Sequence, residues 1–356
     1  MPPKAALVST ISQYDVKDTM HFLITGHTGF KGAWLSLLLR ERGHQVSGIA
    51  LSPDVGALYN IAGIGKLLEN DIRCDIRSPR ELEEQFKAVG PDVVIHMAAQ
   101  ALVRESYKNP VSTFETNAIG TINVLKASQA ISHLKAQLIV TTDKVYKNMD
   151  KSIGYIESEA LGGHDPYSAS KAMADIATQS WLSSFYNAPT AIARAGNVIG
   201  GGDICEDRLI PDLVKSYSSG LVPQLRAPNS VRPWQHVLDC LNGYLTLVDA
   251  LIKNNADGAW NFGPDENQLK TVADVANVAG AVWGAERSWE SDLGNHPDEA
   301  SMLILNSNKA RTELEWTDKL SFEESVKWTI DWYKNVHEGK NPLEETLRNI
   351  RDFESR

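Results

Sequence analysis

Residues 21–32 read HFLITGHTGFKG, an apolar run that ends in a loop with glycines at positions 26, 29 and 32. The run is short and continuous rather than alternating, which fits a buried strand of a parallel sheet covered on both faces. Residues Gly32–Arg42 then carry a helical apolar pattern. A strand, a glycine loop and a helix in that order suit a dinucleotide for a physical reason. Glycines allow the tight turn and let the backbone approach a pyrophosphate, whose charge then sits at a helix N-terminus. The spacing is GxxGxxG, and its placement at the first strong strand gives it more weight than the bare pattern has.

Outward from this stretch the texture repeats. Gln45–Leu51, Asp92–His96, Gln137–Thr142 and Thr190–Ala195 read as further buried strands, and Pro79–Ala88, Val111–Ala130 and Tyr167–Phe185 as helices between them. Strand–helix alternation of this kind implies right-handed crossovers. The expected fold is α/β, a doubly wound parallel Rossmann-type sheet with a smaller mixed α/β C-terminal lobe. Residues 1–20 carry no clear periodicity and are expected to be a flexible extension. The dinucleotide domain is expected over 21–200, with 229–262 returning to it. A substrate lobe is expected over 201–228 and 263–356.

Composition bounds the function. The formal net charge of −10 argues against a nucleic-acid surface, which needs a basic stripe. No apolar run reaches the roughly 18 residues that span a bilayer. Cys74, Cys205 and Cys240 are odd in number and widely spaced. They suit a reducing cytoplasm and form neither a disulfide framework nor a zinc site. The nine histidines lack metal-ligand spacing, so no metal is expected.

Only Tyr167 among the ten tyrosines has a lysine four residues on. Asp165-Pro166 precedes it as a helix start, which places Tyr167 and Lys171 on one helical face. A nearby ammonium favours the phenolate, and with a positive nicotinamide it would lower the tyrosine pKa toward neutrality. Thr142 ends the strand before it, at the edge where open parallel sheets collect ligands. Asp143 and Lys144 follow at once, an acid and an amine able to divide proton donation and abstraction. Alone, each pair reads as an ordinary solvated pair; the glycine loop and the strand end tilt the reading to catalysis. At the second strand's end, Ala50-Leu51-Ser52-Pro53-Asp54, Asp54 sits late for a ribose acid and no arginine is close, which favours NAD over NADP.

The glycine loop, Tyr167-x-x-x-Lys171 and Asn117 in TNAIG (116–120) resemble the extended short-chain dehydrogenase/reductases over about residues 21–335. Within them the chain resembles the CDP-glucose branch of the nucleotide-sugar 4,6-dehydratases. The stretches that carry this include HMAAQALVRESY (96–107), TTDKVYKN (141–148), GGHDPYSASK (162–171), ARAGNVIGGGD (193–203), DRLIPD (207–212), RPWQHV (232–237) and NFGP (261–264). The resemblance rests most on Asp143-Lys144, where dTDP-glucose enzymes typically show Asp-Glu. Val145 departs from the cysteine expected in many CDP-glucose enzymes.

This resemblance implies a catalytic set of Thr142, Asp143, Lys144, Tyr167, Lys171 and Asn117. It implies NAD bound by Gly26, Thr28, Gly29, Phe30 and Gly32, by Asp75 and Ile76, and by Ala98 and Ala99, beside Tyr167 and Lys171. It implies a nucleotide-sugar diphosphate met by Arg104, Asn197, Arg208 and Arg232. It also implies a homodimer in which the helices carrying Asn117 and Tyr167 form a four-helix bundle. His96 and His236 read as satisfied structural histidines, and Trp34 and Trp234 as packing residues.

Overall fold

The computed structural model describes residues 19–185, 188–265, 269–292, 294 and 303–356. Of the expected flexible extension, residues 1–18 lie outside the described residues. The central sheet is built from β1 (His21–Thr25), β2 (Gln45–Ala50), β3 (Asn70–Arg73), β4 (Val93–His96), β5 (Ala136–Val140), β6 (Thr190–Ala195) and β7 (Gly258–Phe262). Their spatial order is β7-β6-β5-β4-β1-β2-β3, and every neighbouring pair is parallel. β1 pairs with both β2 and β4, so the strand order reverses there. The crevice beyond the strand ends at such a reversal is where open α/β sheets bind ligands.

Both faces of the sheet are buried, as the continuous apolar runs require. Along β1, Phe22 and Ile24 join one apolar cluster and Leu23 the other. The first cluster packs the glycine-loop helix (Phe30–Glu41) and helix Val237–Ile252 against the sheet. The second packs helices Pro79–Val89 and Gly120–Ser128. A third cluster joins helices Leu209–Ser218, Val272–Trp283 and Phe322–His337 through Leu213, Val275 and Val326. The last helix, Pro342–Glu354, returns to the first, where Arg42 and Glu354 pair at 2.9 Å. No described helix is long and apolar enough to cross a membrane.

Three departures from the expected elements bear on the site. The continuous helix expected over Val111–Ala130 is instead helix Pro110–Phe114, a π-turn Glu115–Ile119 and helix Gly120–Ser128. Such π-turns mark functional positions, and this one turns Asn117 inward to full burial. β5 stops at Val140, so Thr142 lies past the strand and caps a single 3₁₀ turn, Asp143–Val145. β3, which was not expected, is an edge strand whose sequence NDIR has one apolar residue.

Candidate active site

The glycine loop has the geometry a dinucleotide needs. Gly26 adopts φ +81°, and a Cβ there would lie 2.7 Å from the Ala98 amide nitrogen. A Cβ on Gly32 would lie 2.2 Å from the Gly26 carbonyl oxygen. Both positions therefore exclude a side chain. Gly29, the N-cap of the first helix, is exposed, and no side chain caps that helix. Its uncapped first turn leaves amide donors for an anion. Thr28 donates to the Leu51 carbonyl at 3.2 Å, tying the loop to the end of β2. Ala98 and Ala99 follow β4 beside Gly26. Asp75 and Ile76 follow β3, with Asp75 paired to Arg77 at 2.7 Å. The residues present fit the adenosine diphosphate half of NAD. One expectation needs correcting, because the fold brings Arg73 into register with Ala50. Its guanidinium is held by Asp71 at 2.6 Å, so the second strand's end does not present an unpaired arginine there.

The triplet closes on itself. Thr142 Oγ1 donates to Asp143 Oδ1 at 2.8 Å and accepts from the Lys144 amide at 3.4 Å. Asp143 is buried, and a Cβ on Gly196 would lie 3.1 Å from its Oδ2 and 2.8 Å from the Pro233 side chain, so the glycine lets the loop after β6 pass close to the carboxyl. Burial pushes the Asp143 carboxyl above the ordinary range, against the Lys144 charge, the Thr142 hydroxyl, the Lys144 amide and the Arg232 charge. Lys144 Nζ stands 6.0 Å from the centre of the Tyr167 ring. The structure thus unites the triplet with the tyrosine.

Tyr167 and Lys171 lie on helix Pro166–Ser184, started by Pro166 and by Asp165, whose carboxylate accepts from the Ser168 amide at 2.9 Å. Lys171 is buried and donates to the Val140 carbonyl at 2.8 Å. Burial, then the Lys31 charge, lower its pKa to about 8, and Asp175 opposes them. Burial pushes Tyr167 up to about 12; Thr142 and Arg208 pull down, while Asp143 and Asp165 push up. The expected lowering of the tyrosine by its lysine is therefore not seen in the protein alone. Desolvation of the phenolate outweighs it.

Asn117 does not face this group. Its side chain accepts from the Gln100 amide at 2.8 Å and donates to the Gln100 carbonyl and to Ser170, both at 2.9 Å. It locks the loop after β4 to the tyrosine helix. Arg208 bonds Asp203 at 2.8 Å and lies close enough for its charge to act on Tyr167. Arg232 acts likewise on Asp143. Arg104 stands apart, exposed and paired with Asp207 at 2.7 Å. Asn197 sits in the turn after β6, its carbonyl accepting from the Gln235 amide at 3.0 Å. His96 bonds Thr25 and Thr121, a structural role, as expected. His236 caps helix Val237–Ile252 through Nδ1, but its buried Nε2 has no hydrogen-bond partner among the described residues, so the expectation of a satisfied histidine is only half met. Trp34 and Trp234 are both buried in apolar packing.

A sequence profile described as GDP-mannose 4,6 dehydratase matches residues 23–329. The chain belongs to the GDP-mannose 4,6 dehydratase family. Within the family's relatives, CDP-glucose 4,6-dehydratase of Salmonella typhimurium is 40% identical over 93% of this chain and 95% of that protein. A dTDP-glucose 4,6-dehydratase of Shigella flexneri is 24% identical over 88% of this chain and 92% of its own length. The fold matches the crystal structure of dTDP-glucose 4,6-dehydratase from Bacillus anthracis in complex with NAD at a TM-score of 0.77. That match has 24% identity and covers 91% of this chain and 100% of the other. UDP-glucose 4-epimerase from Thermotoga maritima matches at 0.78, with 21% identity over 89% and 99% of the two chains.

One buried cation near Lys171 was not among the expected site residues. Lys31 donates to Tyr244 at 3.2 Å, and its charge reaches Lys171. Burial lowers its own pKa. A signal was present, since Lys31 is the lone charge in the apolar stretch 30–39 that forms the first helix.

Proposed function

We propose that the protein is an NAD-dependent hydro-lyase that converts CDP-D-glucose to CDP-4-keto-6-deoxy-D-glucose. The observation that carries this is the juxtaposition of a buried Asp143, its carboxyl raised by burial, and the Lys144 amine with Tyr167. Dehydration needs an acid for a leaving hydroxyl and a base for a carbon-bound proton in the site that performs the redox step. The likeness to the Salmonella enzyme supports the choice of nucleotide.

NAD, held at the glycine loop, would supply the hydride acceptor for C4 and the hydride donor for C6. Tyr167 takes the proton of the C4 hydroxyl, and Thr142 and Lys171 orient and stabilise it. The 4-ketone acidifies the neighbouring C5 proton, which Lys144 abstracts. Asp143 gives its proton to the C6 hydroxyl, which leaves as water. Lys144 then returns its proton to C5, Tyr167 releases to solvent the proton it took, and Asp143 regains one from solvent, so the net change is loss of one water. Gly26, Gly29 and Gly32 admit the cofactor's pyrophosphate, and Asp75, Ile76, Ala98 and Ala99 flank it. Arg208, Arg232 and Asn197 meet the substrate diphosphate, with Arg104 at the rim after it leaves Asp207. Residues 201–228 and 263–356 form the nucleotide-sugar lobe over a cofactor domain of 21–200 and 229–262.

The enzyme acts as a cytoplasmic homodimer. Val111, Ile119, Met173 and Ile176 are exposed apolar residues on the segments around Asn117 and on the tyrosine helix. An apolar patch of this kind on two adjacent helices suits burial against its own copy. Light scattering in solution tests that state.

The activity is tested by supplying CDP-, dTDP-, GDP- and UDP-glucose separately with NAD. Formation of the 4-keto-6-deoxy sugar is read by mass loss of one water. Turnover of CDP-glucose above the others is expected; turnover of another nucleotide in its place, or C4 epimerisation without water loss, would overturn the assignment.

A further inference from the structure

A buried polar chain lies directly behind the catalytic turn. Asp175 follows Lys171 by one helical turn on the tyrosine helix, and like Arg194 of β6 it is fully buried. Arg194 Nε and Nη2 donate to the two Asp175 oxygens, each at 2.8 Å. The same Asp175 accepts from Thr141 Oγ1 at 3.1 Å. Arg194 Nη1 donates to Tyr146 Oη at 2.8 Å and to the Glu157 carbonyl at 3.0 Å, with its guanidinium 4.9 Å from the Tyr146 ring centre. Tyr146 Oη in turn donates to Asn261 Oδ1 of β7 at 2.7 Å.

Thr141 and Tyr146 bracket the turn that carries Thr142, Asp143 and Lys144. The turn is therefore gripped at both ends, at one by Asp175 and at the other by Arg194, and the two grips are joined by a bidentate pair. Asp175 belongs to the same helix as Tyr167 and Lys171. A buried ion pair is weak support for stability, because desolvation offsets its attraction. Its geometric effect is definite, since it fixes the register of the acid–amine turn against the tyrosine helix.

We propose that Asp175 and Arg194, acting through Thr141 and Tyr146, are positioning residues that align Asp143 and Lys144 for the elimination step. This rests on the dehydratase reading above. Oxidation at C4 takes only Thr142 from the turn, beside Tyr167 and Lys171 on their own helix, whereas elimination takes both Asp143 and Lys144 from it. Loosening either grip should therefore slow elimination more than oxidation. Misplacement of a reacting group by about 1 Å can cost roughly a hundredfold in rate.

The test uses full-length Thr141→Val, Thr141→Ser and Tyr146→Phe with CDP-glucose and NAD. Single-turnover reduction of the nicotinamide reads oxidation. Incorporation of solvent deuterium at C5 and formation of the 4-keto-6-deoxy sugar read elimination, and Tm reads stability separately. Thr141→Val and Tyr146→Phe are expected to lower elimination by about tenfold or more while oxidation stays within about twofold. Thr141→Ser is expected to restore elimination, because the hydroxyl returns. Equal loss in both half-reactions, or loss tracking Tm alone, or no loss at all, would overturn the positioning role. If wild type makes no dehydrated product from any nucleotide-glucose, the dehydratase reading itself fails, and that result is distinct from a uniform effect of the variants.

Discussion

Replacing Asp143 by Asn changes one proton and almost no volume. Thr142 Oγ1 donates to Asp143 Oδ1 at 2.8 Å, and the amide oxygen of Asn can accept the same bond, so the turn should hold. The variant lacks an acidic proton for the C6 hydroxyl. Positioned general acids contribute about 10²- to 10⁴-fold, or about 3 to 5 kcal/mol of barrier. Burial raises the carboxyl's pKa, the direction that favours the protonated form a donor requires. The expected result is a loss of about 10³ in kcat for keto-sugar formation with KM little changed. Oxidation at C4 does not use this proton. The reduced-nicotinamide absorbance should therefore rise in a single turnover and stay high, where in wild type it is transient. A kcat within about threefold of wild type would refute the assignment of Asp143 as the acid. So would equal loss of the oxidation and elimination steps. Asp143→Ala is the poorer probe, because it also strips Thr142 of its partner.

Other outcomes follow from the same geometry. Gly32→Ala places a Cβ about 2.2 Å from the Gly26 carbonyl, so the loop must shift. NAD affinity by calorimetry should fall by about tenfold or more, and an unchanged affinity would contradict the tight-loop account. Lys171 has a pKa near 8 against an ordinary 10.5, so between those values the unfolded chain holds the proton that the folded protein has released. Stability against denaturant should thus rise from pH 8 to 10.5 by up to about 3 kcal/mol, and Lys171→Met should lack that rise. Asp239 shows the opposite sign: burial lifts its carboxyl to about 7 from 3.8, so its contribution is fully present below pH 4 and lost as pH climbs to 7. Asp239→Asn should flatten that slope, worth up to about 4 kcal/mol, and an unaltered slope would clear this residue.

Much of the sheet was readable because its strands are buried on both faces. Phe22, Leu23 and Ile24 must all be apolar when alternate side chains enter different clusters. β3 escaped the same reasoning, since an edge strand written Asn-Asp-Ile-Arg has one side chain to bury. The π-turn at Glu115–Ile119 was invisible for another reason. Its residues continue a helical pattern, and only the hydrogen bonds of Asn117 to Gln100 and Ser170 show what the extra residue achieves. Tyr167, Lys171 and the 142–144 triplet were legible as local patterns that the sheet then brought together. Arg194 was not, because its partners Asp175 and Tyr146 are remote in sequence and meet it only through packing; Lys31 stood out as a lone charge in an apolar helix, but its partner Tyr244 did not.

The titrating groups at the site share one physical cause with different consequences. Burial raises Asp143, the direction a proton donor needs, and lowers Lys171, the tyrosine's neighbour on its helix. Tyr167 is the exception, because the same burial carries it to about 12, away from a base's working range. Arg208 and Thr142 already oppose that rise and do not overcome it. The remaining lowering therefore has to come from positive charge that arrives with the ligands, which makes the tyrosine inert as a base until the site is filled. The same desolvation that holds the proton on Tyr167 in the empty site raises Asp143 in the direction a donor requires.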